Sequence, residues 1–287
     1  MNISDNSIEA VVSYFRKELI SFYDKEEIEQ FIYISFNEII GFSRADLILK
    51  KADKINESDL VKFSWVVKQL KNNCPIQYIF GRTEFYGIPL KVNNNVLIPR
   101  PETEELVQWI INDNKNSKNN ILDIGTGSGC IAIALKKNIL NATIFAIDIS
   151  GEALKIAKEN AKLNHVEINF SEIDILNFND ENKFPKFDVI VSNPPYVCVS
   201  EKQLMKENVL NYEPHLALFV ADKEPLLFYK KIIAFAKKVL NPNGKLFFEI
   251  NESQGELLLD YLDKNGAKNY LLKKDLNGKN RMLQCQF

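Results

Sequence analysis

The chain after residue 120 alternates between short apolar runs and helix-like patterns. Strands are predicted over 121–124, 143–147, 167–170, 187–192 and 245–250. Helices are predicted over 129–137, 151–163, 225–240 and 255–264. Strands that alternate with helices form a mostly parallel sheet with helices on both faces. A closing hairpin, with Asn277-Gly278 between its strands at 269–274 and 281–286, adds an antiparallel edge. The predicted fold class is therefore α/β.

The first 73 residues carry apolar side chains at helical spacing and predict a small helical bundle. The clearest stripe is Ile8, Val11, Val12, Phe15 and Leu19. Pro75 ends this region. Short strands are then predicted over 78–80, 84–86, 90–92 and 96–98, and an exposed polar loop over 112–120. The expected organisation is an N-terminal helical domain (1–73), a β-hairpin linker (74–98) and a third domain (99–287).

Composition argues against several functional classes. The formal net charge is −2 and the pI about 5.9, whereas a non-specific nucleic-acid binder needs a basic face. The four cysteines form no Cys-x-x-Cys pair, so neither a metal site nor a redox motif is expected. The chain has no leader-like N-terminus over residues 1–5 and no apolar run of 18 residues. We therefore expect a cytoplasmic protein with no membrane association.

A glycine-rich loop joins the first strand of the sheet to its first helix. It consists of Gly125, Thr126, Gly127, Ser128 and Gly129. Glycines permit positive φ and close backbone approach, and a helix start presents free N–H groups to a ligand. The loop lacks Gly-Lys-Ser/Thr, so it is not a nucleoside-triphosphate loop.

Two aspartates flank this loop. Asp148 ends the second strand, where a carboxylate can bind both ribose hydroxyls. It could instead cap the helix that begins near Gly151. Asp123 precedes the loop and could brace it or face the cationic end of a ligand. Together with the motif described next, these groups favour S-adenosylmethionine over a nicotinamide.

Asn193-Pro194-Pro195-Tyr196 follows the fourth strand and predicts a clamp for a planar NH2 group. The prolines fix φ and remove two N–H donors, which leaves carbonyls of defined direction. The side-chain oxygen of Asn193 and the carbonyl of Pro194 can each accept one N–H, and Tyr196 can stack on the planar group. These contacts orient the nitrogen and stabilise the positive charge that develops on it. The motif alone does not distinguish an amide from an exocyclic base amine.

The chain resembles the HemK/PrmC-type N5-glutamine methyltransferases that modify peptide chain release factors. The motifs that carry this resemblance are Gln77-Tyr78-Ile79 with Gly81, Phe85-Tyr86-Gly87, Leu97-Ile98-Pro99-Arg100-Pro101-Glu102-Thr103-Glu104, Asp123 to Gly129, Ser192 to Tyr196, Tyr212-Glu213-Pro214, Asn241-Pro242-Asn243-Gly244 and Asp275-Leu276-Asn277-Gly278. The resemblance covers the chain from about residue 75 to its end, and the helical N-terminal region also fits the family. It implies a Rossmann-like class I methyltransferase domain.

The resemblance also implies ligands and site residues. The substrate would be the glutamine in the Gly-Gly-Gln loop of a release factor. Cofactor contacts would come from Gly125, Thr126, Gly127, Ser128, Gly129, Asp148, the pair Asp174-Ile175, and Asn193. The glutamine amide would be held by Asn193, Pro194, Pro195 and Tyr196, with Asn193, Pro194 and Tyr196 as the catalytic set. We expect a monomer without a direct nucleic-acid partner.

The chain departs from the family pattern at a few positions. Ile175 stands where the family often has a large aromatic against the adenine, and Asn251 where it commonly has glycine. Lys223-Glu224-Pro225 replaces a usual Asp-Gly. Arg100 and Glu102 either orient the entry segment of the domain over 99–287, line a peptide groove, or form a structural ion pair that joins the linker to the sheet. Two other functions stay open, a methyltransferase of exocyclic amines in DNA or RNA and an inactive scaffold of the same fold.

Overall fold

The computed structural model describes residues 5–115 and 118–287. Its helices are α1 (Ile8–Leu19), α2 (Lys25–Ile40), α3 (Arg44–Leu49), α4 (Glu57–Lys71), α5 (Ile76–Phe80), α6 (Pro101–Asn114), α7 (Cys130–Asn138), α8 (Gly151–Leu163), α9 (Glu207–Tyr212), α10 (Leu227–Val239) and α11 (Gly255–Lys264). Its strands are β1 (Arg82–Phe85), β2 (Ile88–Lys91), β3 (Asn120–Ile124), β4 (Thr143–Asp148), β5 (Asn169–Glu172), β6 (Phe187–Ser192), β7 (Val197–Cys198), β8 (Phe219–Val220), β9 (Leu240–Glu249), β10 (Lys268–Lys274) and β11 (Asn280–Gln286). None of the helices in these ranges has the length and apolar character needed to span a bilayer.

Seven strands form one twisted sheet in the order β10-β11-β9-β6-β3-β4-β5. The pairs β3–β4, β3–β6, β4–β5 and β6–β9 are parallel, and β11 pairs antiparallel with both β9 and β10. The α/β prediction and the antiparallel hairpin at the edge are confirmed. The chain leaves β3 toward β4 and β5 on one side and returns to β6 on the other, so the strand order reverses between β3 and β6.

Side chains that alternate along the central strands build a core on each face of the sheet. Ile121 and Val189 pack on one face with helices α6 and α7, while Leu122 and Ile190 pack on the other face with α10 and α11. The helices contribute fully buried groups to these cores, among them Leu106, Leu135, Tyr229 and Leu258. A strand that is buried on both faces reads as a continuous apolar run, which is why these strands were recognisable in the sequence.

The chain separates into two compact units, one with the described residues up to Gly81 and Glu207–Tyr212, the other with Arg82–Lys206 and Glu213–Phe287. The first unit is helical. Its core contains Phe15, Phe36 and Phe63, all fully buried, with the Phe36 and Phe63 ring centroids 4.5 Å apart. The helices predicted within the first 73 residues are therefore present among the described residues. The functional division into domains over 1–73, 74–98 and 99–287 stays a prediction.

Helix α9 belongs to the helical unit although it lies far along the chain. The hydroxyl of Tyr212 donates to the backbone carbonyl of Asn72 at 2.8 Å, and Asn73 Nδ2 donates to the Glu207 carboxylate at 2.8 Å. Nothing in the sequence predicted this, because the contact depends on residues about 135 positions apart. The helical unit is therefore discontinuous in sequence.

The segment after Pro75 corrects one prediction. Residues 78–80 were expected to form a strand, but Ile76–Phe80 is a short helix. Proline fixes φ near −57° at the N-cap, and its carbonyl accepts from the backbone N–H groups of Tyr78 and Ile79. Ile76 and Ile79 then reach the apolar core of the helical unit. Packing thus overrides the strand preference of a short β-branched and aromatic run.

Two neighbouring predictions are also corrected. Residues 96–98 were predicted as a strand but belong to none of the strands in the described part of the chain. Asn112 to Asn114, predicted as loop, form the last turn of α6, where Asn114 Nδ2 donates to the Ile110 carbonyl at 2.7 Å. Residues 116 and 117 of that predicted loop, and residues 1–4 of the predicted leader-free N-terminus, lie outside the described residues. The strands predicted near 85 and 90 are β1 and β2, an antiparallel hairpin.

Candidate active site

A cleft of about 1020 Å³, counted to its open mouth, lies at the carboxyl ends of the central strands. It is bordered by the residues that follow β3 and β6, the two strands between which the sheet order reverses. Ligands of open α/β sheets bind at such a reversal. It is therefore the candidate active site.

The strand register brings the glycine loop and the Asn-Pro-Pro-Tyr motif together. Ile124, the last residue of β3, pairs with Ser192, the last residue of β6. The Ser192 hydroxyl donates to the Ile124 carbonyl at 2.7 Å, which ties the two strand ends. Gly125 and Asn193 are the next residues on each strand, and both line the cleft. Two motifs separated by about 65 positions in the sequence thus share one site.

Glycine is required at the three loop positions for two different structural reasons. Gly125, Gly127 and Gly129 all have positive φ, at 74°, 53° and 82°. A Cβ at Gly125 or Gly127 would meet no atom within 4 Å, so the backbone there faces open space in the cleft. A Cβ at Gly129 would lie 3.1 Å from the Ala157 Cβ, so Gly129 allows the start of α7 to approach α8. The first two glycines therefore suit ligand approach, and the third serves packing.

Asp148 holds the loop in place and still has capacity for a ligand. One carboxylate oxygen accepts from the Gly127 N–H at 2.8 Å and the other from the Ser150 N–H at 2.9 Å. Burial raises the pKa of Asp148, and these hydrogen bonds oppose that effect. The alternative role as helix cap is filled by Ser150, whose hydroxyl accepts from the Ala153 N–H. Two carboxylate oxygens offer about four acceptor positions, more than these two N–H groups use, and Asp148 lines the cleft.

Asp123 lies beneath the loop and braces it. Its Oδ2 accepts from the Thr126 hydroxyl at 2.6 Å, while its Oδ1 is buried without a hydrogen-bond partner among the described residues. Burial raises the pKa of Asp123 to about 7, against the opposing effect of the Thr126 hydrogen bond. Asp123 does not line the cleft. Of its two predicted roles, the structure shows the brace.

The raised pKa of Asp123 predicts a pH-dependent stability. The unfolded chain releases this proton near pH 3.9, whereas the folded chain keeps it to about pH 7. The free energy of unfolding therefore falls as pH rises from about 4 to 7, by at most about 1.4 kcal/mol per pH unit. Asp123→Asn should remove this contribution. We expect urea unfolding to favour the variant increasingly over the parent from pH 5 to pH 8; parallel stability curves would contradict the shift.

The four residues of Asn-Pro-Pro-Tyr occupy different positions. Asn193, Pro194 and Pro195 line the cleft, whereas Tyr196 does not. The Tyr196 hydroxyl instead donates to the buried carboxylate of Glu249 at 3.0 Å. Its backbone carbonyl accepts from Gln254 Nε2 at 3.2 Å. Burial raises the pKa of the Tyr196 phenol, so it is protonated and acts as the donor in this contact.

Asn193 has a partner that sequence reasoning did not reveal. Its Nδ2 donates to the Thr103 hydroxyl at 3.3 Å, and Thr103 donates to Glu249 at 2.5 Å. Thr103 belongs to the Pro-Glu-Thr-Glu run, which could have suggested a role. Glu249 is an isolated acid at the end of a strand and gave no signal.

The remaining walls of the cleft are mostly apolar. They include Ile124, Ile147, Ile149, Ile173, Ile175, Leu216, Phe228 and Ile232. Ile175 is in the predicted place, next to Asp174, while Phe228 on α10 was not predicted. Thr126, Ser128 and Gly129 are part of the loop but do not line the cleft. The cleft thus combines an apolar slot with exposed loop backbone, the carboxylates of Asp148 and Asp174, and the amides of Asn95 and Asn193. This set suits a nucleoside bearing a charged tail.

The run around Arg100 contains a structural ion pair. Arg100 Nη2 lies 2.5 Å from Glu213 Oε1, and the Glu213 side chain is 1% exposed. The other Glu213 oxygen accepts from the Ile98 N–H at 3.2 Å. Of the roles left open for Arg100, the structure therefore shows the ion pair. It positions the segment that carries Leu97 into the cleft wall.

Comparison with known proteins identifies the family. Residues 103–213 match the model of the methyltransferase small domain, and residues 15–81 match that of the PrmC N-terminal domain. A release factor glutamine methyltransferase of Flavobacterium psychrophilum is 51% identical over 279 residues, covering 95% of this chain and 96% of that protein. One of Bacteroides thetaiotaomicron is 40% identical over 273 residues, covering 95% and 98%.

A solved structure supports the fold. The catalytic domain of hMettl16 in complex with the MAT2A 3'UTR hairpin 6 has a TM-score of 0.53 and 14% identity, covering 83% of this chain and 84% of that chain. The fold is a Rossmann-like class I methyltransferase fold, as predicted. With the near-complete coverage of its relatives, the chain belongs to the release factor glutamine methyltransferase family, whose members are S-adenosylmethionine-dependent methyltransferases.

Proposed function

We propose that this protein transfers a methyl group to the side-chain amide nitrogen of the glutamine in the Gly-Gly-Gln loop of peptide chain release factors. The observation that carries the proposal is the placement of Asn193 and Pro194 beside the glycine loop in one cleft. Family membership supplies the substrate class. The proposal includes action as a monomer in the cytoplasm, without a nucleic-acid or membrane partner.

The glycine loop and the apolar slot fit S-adenosylmethionine. Gly125 and Gly127 offer open backbone, Asp148 has free acceptor positions for ribose hydroxyls, and Ile175 and Phe228 can enclose an adenine. The bound cofactor would supply a methyl group on a sulfonium, a good leaving group. The residues of the chain have to hold it, exclude water and orient the acceptor.

Asn193 and Pro194 are proposed to hold the glutamine amide. The Asn193 Oδ1 and the Pro194 carbonyl each accept one N–H, which turns the nitrogen toward the methyl donor. The amide lone pair is delocalised, so this orientation and the stabilisation of developing positive charge replace a general base. The Tyr196 hydroxyl donates to Glu249 and is not proposed to contact the substrate. Tyr196 is therefore proposed to contribute through its ring and by holding the backbone of the motif.

The function is tested by offering two kinds of acceptor. The protein is incubated with tritiated S-adenosylmethionine and either a release factor or duplex and single-stranded DNA. We expect label in the release factor, on the glutamine of its Gly-Gly-Gln loop. Label in DNA alone would overturn the proposal in favour of the exocyclic-amine alternative, and label in neither would support an inactive scaffold.

The length of the acceptor side chain gives a further prediction. Replacing the loop glutamine of the release factor by asparagine shortens the side chain by one methylene and moves the nitrogen by more than about 1 Å. We expect methylation of that residue to fall at least about 100-fold, measured by label incorporation at matched concentrations. The wild-type release factor is the control. Equal labelling of both proteins would show that the clamp does not discriminate between acceptor side chains by the position of their nitrogen.

A further inference from the structure

A hydrogen-bond relay behind the clamp joins its first and last residues. Thr103 lies in the first turn of α6 and Glu249 at the end of β9, and their exposed fractions are 2% and 1%. The relay runs from Asn193 Nδ2 to the Thr103 hydroxyl, and from there to Glu249. The Tyr196 hydroxyl donates to the other oxygen of the same carboxylate. The carboxylate of Glu249 thereby holds both side chains, Tyr196 directly and Asn193 through Thr103.

The chemistry of the relay decides which end of the Asn193 amide faces the acceptor. Each oxygen of Glu249 accepts from a hydroxyl, one from Thr103 and the other from Tyr196, so the single proton of the Thr103 hydroxyl is directed to Glu249. Thr103 can then only accept from Asn193, which draws Nδ2 toward Thr103. The opposite end of the amide, Oδ1, is left for the cleft. An inverted amide would present N–H groups to the substrate NH2 and repel it.

We infer that Thr103 and Glu249 are positioning residues that set the orientation of the Asn193 amide and so present Oδ1 to the substrate nitrogen. This inference rests on the proposed function. Glu249 is a buried acid that accepts two hydrogen bonds from hydroxyls. A buried carboxylate is costly, and an apolar residue could fill the same space, so a positioning role explains why an acid stands here. Burial raises the pKa of Glu249, while Thr103, Tyr196 and Arg281 oppose that rise.

Thr103→Val tests the relay because valine keeps the volume and removes the hydroxyl. The measurements are kcat and KM for a release factor, the Kd for S-adenosylmethionine by calorimetry, and the melting temperature. We expect kcat to fall about 10- to 100-fold, with KM and the cofactor Kd changed by less than about threefold. Thr103→Ser restores the hydroxyl and should recover most of the loss. Thr143→Val, an exposed threonine at the start of β4, is the matched control.

Glu249→Gln tests the direction of the hydrogen bonds in the relay. It also provides a second test of the inference if Thr103→Val does not fold. Glutamine has nearly the same shape but can donate to Thr103, which frees the Thr103 proton to point at Asn193. We expect a kcat loss in the same range with little change in the cofactor Kd. A readout independent of turnover is the Asn193 side-chain amide signal in protein labelled with 15N-asparagine, identified with Asn193→Ala. It should shift in Thr103→Val and return in Thr103→Ser.

The outcomes separate this inference from the proposed function. If the parent enzyme does not methylate release factors, the proposed function fails, whatever the variants do. If the parent is active and Thr103→Val and Glu249→Gln keep its kcat, the relay has no positioning role. A loss that Thr103→Ser does not recover, or one that is matched by the cofactor Kd, would also overturn it.

Discussion

Asn193→Ala is expected to abolish methyl transfer while the cofactor affinity stays within about tenfold of the parent. The variant removes the acceptor oxygen that orients the substrate nitrogen and leaves Pro194 as a single contact. Oriented contacts of this kind contribute several kcal/mol to the barrier, so we expect kcat to fall at least about 1000-fold. The decisive measurements are single-turnover label transfer to a release factor and calorimetric binding of S-adenosylmethionine.

The control for this prediction is Asn94→Ala. Asn94 is exposed and does not line the cleft, so its replacement should leave transfer unchanged. A cofactor affinity that falls as far as the rate would show that Asn193 serves the cofactor rather than the amide clamp. Retained activity would exclude it from the site altogether.

Asp148→Ala is expected to have the second largest effect, on the cofactor rather than on the acceptor. It removes the proposed ribose contact and releases the Gly127 N–H that the carboxylate holds at 2.8 Å. Hydrogen bonds to a charged group contribute about 1.5–3 kcal/mol each, so we expect the Kd for S-adenosylmethionine to rise at least about 100-fold. At saturating cofactor, the rate should recover to within about tenfold.

The structure provides a matched control for this second variant. Glu172 is the register partner of Asp148 on the neighbouring strand, but its side chain is exposed and does not line the cleft. Glu172→Ala should therefore bind cofactor like the parent. If both variants weakened binding equally, the effect would come from the charge of the sheet edge. Unchanged binding in Asp148→Ala would remove Asp148 from the cofactor site.

The parts of the site that the sequence predicted are those set by local pattern and sheet topology. The strand before Gly125 and the strand before Asn193 were both readable as apolar runs, and parallel strands place their carboxyl ends at one edge. The meeting of the two motifs followed from that. The position of Asp148 at the cleft follows for the same reason, because it ends the strand beside β3, and its contact with a cofactor stays a prediction.

The parts that were missed depend on contacts between distant residues. Thr103 and Glu249 are 146 positions apart, and no spacing rule connects the start of α6 to the end of β9. Phe228 lies on α10 and lines the cleft. In the sequence it is one more apolar residue of that helix and cannot be distinguished from those that pack in the core. The short helix over Ile76–Phe80 was missed because five residues carry too little periodicity to distinguish helix from strand.

The discontinuity of the helical unit has a consequence for synthesis on the ribosome. Its apolar core can assemble once Phe80 has left the exit tunnel, but the partners of Asn72 and Asn73 lie at Tyr212 and Glu207. These last contacts have to wait until about 130 further residues have been translated. The helical unit therefore receives its last hydrogen bonds only after β6, the strand that precedes Asn193, has been translated.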